Sequence, residues 1–146
     1  MFANLLDDIK YSINNLLVNE NVEITSDFSE AEEMTTLKTY MYSIFYNLVS
    51  NSIKYRQHGI KPLIEITSKK EKNNVVLTFK DNGLGMDLVH KGDQVFGMYK
   101  RFHSHTEGKG MGLYMVKTQV ETLGGKITVD SAVNQGTTFT ITLETN

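Results

Sequence analysis

The sequence predicts an α+β fold, a two-layer α/β sandwich in which a mixed, mostly antiparallel sheet of about five strands is covered on one face by three helices. Three observations carry this. Apolar residues recur at helical spacing in three segments, they alternate at strand spacing in five others, and the order is helix, strand, helix, two strands, long loop, helix, two strands. Such an order places the helices on one side of a single sheet.

Residues 3–19 read as an amphipathic helix, with Leu5, Leu6, Ile9, Ile13, Leu16 and Leu17 at helical intervals. Val22 and Ile24 then alternate with polar neighbours like a short strand. After an acidic stretch, Glu30 to Glu33, a second helix is expected with Thr35 or Thr36 as its N-cap. Its buried stripe is Met41, Ile44, Phe45, Leu48, Ser52 and Ile53, and Gly59 and Pro62 are expected to stop it. Two strands follow, PLIEITSKK and NNVVLTFKD, joined by a charged turn at Glu71 to Asn74 into an antiparallel hairpin with one buried face. The stretch from Asp81 to Gly112 lacks periodicity and holds seven of the eleven glycines, as a functional loop would. MGLYMVKTQVETLGG then reads as a helix stopped by Gly124 and Gly125, and KITVDSAV and GTTFTITLE close the chain as two strands.

At 146 residues the chain suits a single domain, residues 1–146, with a proper core. A net charge of -2 gives no bulk electrostatic attraction to nucleic acid or to an anionic membrane surface, so neither is expected as a partner. The absence of cysteine rules out disulfides and thiolate metal sites, and is compatible with a reducing compartment. No run of about 18 apolar residues is present, and the first residues lack the basic character of a signal peptide, so the chain is expected to be soluble.

Three stretches carry chemistry. In FYNLVSNSIKY, residues 45–55, the side chains of Asn47, Asn51, Lys54 and Tyr55 fall within roughly a 100° arc of one helix face. Asparagine is a poor helix former, so two of them one turn apart beside a core stripe suggest a task beyond folding. DNGLGMD, residues 81–87, places Asp81 at a strand end, with Gly83 and Gly85 free to turn the backbone sharply. GKGMG, residues 108–112, puts three glycines immediately before a helix, where free N–H groups and the positive end of the helix dipole suit phosphate. The P-loop is excluded because Lys109 is followed by Gly110, and the dinucleotide fingerprint is absent after the first strand. Together these residues match a purine nucleotide with Mg²⁺: a carboxylate for an exocyclic amine, an asparagine oxygen for a hard cation, and lysines and amides for phosphates.

Taken in order, NLVSNSIKY, DNGLGMD, VFGMYKRFH and GKGMGL resemble the Asn, first glycine, phenylalanine and second glycine boxes of the ATP-binding catalytic domain of sensor histidine kinases. GGKITVDSAVNQGTTFTI resembles the closing hairpin of that domain. Its fold is the Bergerat, or GHKL, fold shared with gyrase and the Hsp90 chaperones, and the likeness covers nearly the whole chain. It implies ATP or ADP with Mg²⁺ as ligands. Asn51 would hold Mg²⁺ against the phosphates, Asn47 would support it, Lys54 would contact phosphate, and Tyr55 would lie near adenine or ribose. Asp81 would bond the adenine amino group, directly and through water, with Gly83 and Gly85 shaping the pocket floor and Met86 in the same pocket. Lys100, Arg101 and His103 would reach the triphosphate, while Gly108, Lys109, Gly110 and Gly112 would cradle it, with Met111 and Leu113 alongside. Phe96 and Phe102 would anchor the lid. Thr137 and Thr138 would take a structural or adenine-side polar role, Thr138 being counted with the nucleotide site.

The branch of the family turns on position 47, where gyrase, Hsp90 and the anti-sigma serine kinases have a glutamate that activates water or a hydroxyl. An asparagine has no useful basicity, so the resemblance implies transfer to a histidine imidazole. His58, His90, His103 and His105 do not stand in the acidic-neighbour helical setting of the family's acceptor. The acceptor is therefore expected on a separate dimerisation domain of the same protein, with residues 1–10 as the join. A response regulator receiver domain is an indirect partner, the isolated domain is expected as a monomer, and the parent as a cytoplasmic-facing homodimer, membrane-anchored or not. Two alternatives stay open: a degenerate nucleotide-binding module that only docks, and an anti-sigma-type serine kinase.

Overall fold

In the computed structural model, residues 1–34, 36–85 and 112–144 are described. Within them, five strands form one sheet in the order β1-β2-β3-β5-β4. The strands are β1 (Glu23–Asp27), β2 (Leu63–Glu71), β3 (Asn74–Asp81), β4 (Lys126–Ser131) and β5 (Thr137–Glu144). β1 runs parallel to β2 at one edge, and every other neighbouring pair is antiparallel. The parallel pair follows from the connection between them. The chain leaves β1, crosses the sheet as helix α3 (Lys38–Lys54) and returns beside it, whereas β2 and β3 are joined by a two-residue turn.

The sheet has one apolar face because its strands alternate. Ile64 and Ile66 on β2, Val75, Leu77 and Phe79 on β3, and Phe139, Ile141 and Leu143 on β5 are all buried on the same side. Helix α3 lays its stripe of Met41, Ile44, Phe45, Leu48 and Ile53 on this face, and Phe45 meets Phe79 edge-on with ring centroids 5.0 Å apart. Helix α1 (Phe2–Ser12) packs beside it through Phe2, Leu5, Leu6 and Ile9, with Phe2 stacked on Phe45 at 6.1 Å. Four of the opening residues are thus part of this core. Helix α4 (Gly112–Thr122) covers the other flank of α3 through Val116 and Val120.

Several expected boundaries move. The first helix is broken at Ile13, where φ is -113° and ψ 21°, into α1 and a short α2 (Asn14–Asn19) that buries no residue. Ser12, Asn14 and Asn15 compete with the helix backbone and localise the break there. Helix α3 begins at Lys38, with Leu37 as its uncapped N-cap residue, so Thr36 stands one residue too early and Thr35 lies outside the described residues. The same helix stops at Lys54, well before Gly59. Two contacts accompany this end, one across the fold, where the Tyr55 carbonyl accepts from Leu84 N–H at 2.8 Å, and one local, where the Ile53 carbonyl accepts from the Arg56 guanidinium at 3.0 Å.

Because Phe45 joins α1, α3 and the sheet with no exposed surface, Phe45→Ala should lower unfolding free energy by about 3–5 kcal/mol. Urea denaturation with an unchanged slope is the measurement; a loss under about 1 kcal/mol would show that the cluster collapses into the gap.

Candidate functional site

The site lies where the C-terminal half of α3, the end of β3, the start of β5 and the start of α4 converge. Asp81 is the last residue of β3, and strand pairing sets it opposite Thr137 on the inner face. One carboxylate oxygen, Oδ1, accepts the Gly83 N–H at 2.9 Å, and the other, Oδ2, accepts the Ser52 hydroxyl at 2.8 Å. The Thr137 N–H donates to the same carboxylate. Burial pushes the Asp81 carboxyl above its ordinary value of 3.8, and the Gly83, Ser52 and Thr137 donors only partly offset this. A half-buried carboxylate held by three donors keeps lone pairs for a further donor, such as an exocyclic amine.

The loops around Asp81 approach one another closely. At Gly83 a side chain would come within 2.7 Å of the Tyr55 carbonyl oxygen. Gly85 and Gly136 both have positive φ, 71° and 81°, and a side chain at either would strike backbone carbonyls, of Ala132 and of Asp81 respectively. The missing side chains of Gly83 and Gly85 let three protein loops pack together. Asn82 adds a staple between two of these loops, accepting the Leu63 N–H at 2.9 Å and donating to the Lys61 carbonyl at 3.0 Å.

On the other side of the site, Asn47 is half-buried on α3 and donates through Nδ2 to Ser43 Oγ at 3.2 Å. That bond leaves its oxygen facing Gly112, the first residue of α4, where a side chain would stand 3.6 Å from Oδ1. Asn51 and Lys54 are half-buried on the same face of α3, and the Lys54 ammonium sits 5.7 Å from the centre of the Tyr55 ring. Leu113 packs against the core from the first turn of α4. Thr138 departs from expectation: it pairs with Lys80 and Asp130 on the outer face of the sheet, and its neighbour Thr137 is the residue beside Asp81. Met86, Lys100, Arg101, His103, Gly108, Lys109, Gly110 and Met111 lie outside the described residues, as do Phe96 and Phe102.

Sequence reasoning put Ser52 in the buried stripe and missed its part in the site. The signal was present, since a lone hydroxyl among apolar stripe residues needs a partner, here both the Leu48 carbonyl at 3.0 Å and Asp81. The roles of Asn82 and Gln57 carried no local signal, because their partners lie 19 or more residues away.

A helix-covered mixed sheet, with a helix that carries two asparagines and bonds a strand-end aspartate through Ser52, beside a glycine-led helix start, has the architecture of a Bergerat-type ATP-binding domain. Residues 36–146 match the family described as histidine kinase-, DNA gyrase B- and HSP90-like ATPase, and the chain belongs to that family. Its relatives place it in the sensor histidine kinase branch. The methanogenesis regulatory histidine kinase FilI of Methanothrix harundinacea is 37% identical over 99 residues, 68% of this chain and 11% of that protein. The heme sensor protein HssS of Staphylococcus saprophyticus is 33% identical over 121 residues, 83% of this chain and 25% of that protein. The chain therefore spans a quarter or less of these relatives. The solved catalytic domain of histidine kinase ThkA superposes with a TM-score of 0.82 at 19% identity, covering 99% of this chain and 94% of that one, and so shares the fold. Among the described residues no helix is long and apolar enough to cross a membrane.

The raised pKa of Asp81 has a consequence for stability. The folded state holds this proton more tightly than the unfolded chain, so the contribution of Asp81 is most favourable below the unfolded value and is lost as pH rises through the folded one. Asp81→Asn removes the buried charge while its amide can still accept from Gly83 and donate to Ser52. The variant should therefore melt at or above the parent temperature at pH 7, with the difference shrinking near pH 4. Melting curves by circular dichroism at the two pH values check this, and a variant markedly less stable at pH 7 would contradict it.

Proposed function

We propose that this chain binds ATP with Mg²⁺ between α3, the end of β3 and the start of α4, and passes the γ-phosphoryl group to a histidine on a separate dimerisation domain of the same protein. A response regulator receiver domain would then take the phosphoryl group from that histidine. The observation that carries the reading is the carboxamide at position 47, fixed by Ser43 and facing the first residue of α4. An amide there cannot remove a proton from water or from a serine hydroxyl. An imidazole needs no such help: its nitrogen lone pair forms the bond to phosphorus while the bond to the ADP oxygen breaks and ADP leaves with the electron pair.

Within this reading Asp81 accepts the adenine amino group and Lys54 faces phosphate. The nearby N–H groups at the start of α4 add positive potential for the same anion. The carboxamide oxygens of Asn51 and Asn47 suit Mg²⁺, a hard cation that takes one or two protein oxygens and fills the rest of its sphere from phosphates and water. Mg²⁺ would supply charge neutralisation at the phosphates. Tyr55 lies at the C-terminal end of α3 and fits contact with the base or ribose. In the longer protein this domain belongs on the cytoplasmic side, where ATP is.

Two measurements test the proposal. Calorimetric titration of ADP or Mg²⁺-ATP should show micromolar-range binding, and Asp81→Asn should weaken it about tenfold or more, since hydrogen bonds to charged groups contribute about 1.5–3 kcal/mol. Incubation with a histidine-bearing dimerisation domain and γ-labelled ATP should leave an acid-labile, base-stable label on that domain. No label, or an acid-stable one, would refute transfer to histidine.

A further inference from the structure

Gln57 lies just beyond α3, outside every box that resembles the family, yet its side-chain amide reaches three backbone carbonyls. The two N–H bonds of Nε2 are shared among the carbonyls of Asn82 at 3.1 Å, Gly83 at 3.0 Å and Asn134 at 3.3 Å. The Asn82 carbonyl belongs to the same peptide group as the Gly83 N–H, and that N–H is the donor to Asp81 Oδ1 at 2.9 Å. Gln57 therefore holds one end of a peptide whose other end holds the aspartate. Drawing charge from the carbonyl also polarises the N–H and strengthens its bond to the carboxylate. The third carbonyl, from the turn between β4 and β5, is tied to the same place by a second contact, the Asn134 N–H to the Leu84 carbonyl at 2.6 Å.

We propose that Gln57 is a positioning residue for adenine recognition: it fixes the Asn82–Gly83 peptide so that its N–H is presented to Asp81, and locks that peptide to the Asn134 turn. This rests on the reading of Asp81 as the adenine acceptor. Asn82 and Leu84 are held on either side, by the Leu63 and Tyr55 carbonyls, but among the described residues the peptide between them has no other clamp on its carbonyl than Gln57. Without it the peptide tilts more readily at the glycine, Asp81 holds its donor less firmly, and the pocket spends part of its time in non-binding arrangements. Apparent affinity falls in proportion to the competent fraction. The core is remote from these contacts, so the fold is retained.

Gln57→Met keeps the length of the side chain and removes its donors. Expected are a native melting profile, ADP affinity weakened about tenfold, and an Asp81 carboxyl signal in carbon-detected NMR that titrates at higher pH than in the parent. The last readout would not move if Gln57 only stabilised the loop. Gln57→Asn, one methylene shorter, should fall between parent and Gln57→Met in both readouts, and carries the test if the methionine variant does not fold. ADP affinity within twofold of the parent, or an unmoved Asp81 titration, overturns the proposal. Asp81→Asn in the same series separates the two readings: if it binds ADP like the parent, the adenine assignment itself fails, whereas weak binding by Asp81→Asn beside parent-like binding by Gln57→Met refutes only the clamp.

Discussion

Holding a carboxylate at Asp81, half-buried at the end of β3, is the constraint on which the rest of the site depends. Burial alone drives such a group toward its neutral form, which carries a donor where the ionised form can only accept. The chain answers with one local donor and two distant ones: the Gly83 N–H two residues on, Ser52 from α3, and the Thr137 N–H from the start of β5. Each donor requires its segment to approach closely. That need accounts for Gly83, Gly85 and Gly136, where any side chain would hold the loops apart. It also accounts for the end of α3, since the Tyr55 carbonyl is used to fix Leu84 rather than to extend the helix.

The parts of this arrangement that are periodic were legible in the sequence. The α3 stripe of Met41, Ile44, Phe45, Leu48, Ser52 and Ile53 is buried as its spacing requires, and the alternation of Val75, Leu77 and Phe79 gives the inner face of β3. The choice between Thr137 and Thr138 was legible too. Thr137 has the parity of Phe139, Ile141 and Leu143, and a strand turns all residues of one parity to one face. What the sequence did not carry was anything set by long-range pairing: the parallel placement of β1 beside β2, the early end of α3, and the contacts of Gln57 and Asn82. Those residues are unremarkable by type, and only the fold brings their partners within reach.

The break at Ile13 shows the same limit from the other direction. Apolar spacing continues smoothly from Phe2 to Leu17 and argues for one helix, but the local cost of Ser12, Asn14 and Asn15 falls where the chain must also turn. Periodicity reports which residues seek the core, and says less about where the backbone can bend to bring them there. Phe2, Leu5, Leu6 and Ile9 reach the core through α1, whereas Leu16 and Val18 on α2 stay exposed.

The two walls of the site differ in what holds them. Asp81 is fixed by three donors and by loops that interlock without side chains, so its geometry is set before any ligand arrives. Asn47 is fixed by one bond to Ser43 at 3.2 Å and faces Gly112 at the start of α4. On the proposed reading the first is the base-recognition wall, which gains from rigidity, because each group locked beforehand is one fewer to order on binding. The second, on the same proposal, faces the phosphate that must leave. Its neutral amide, lacking basicity, would give water no advantage over an imidazole. Stiffness on one side and fewer restraints on the other would then be two consequences of one division: the first wall selecting the nucleotide, and the second letting part of it go.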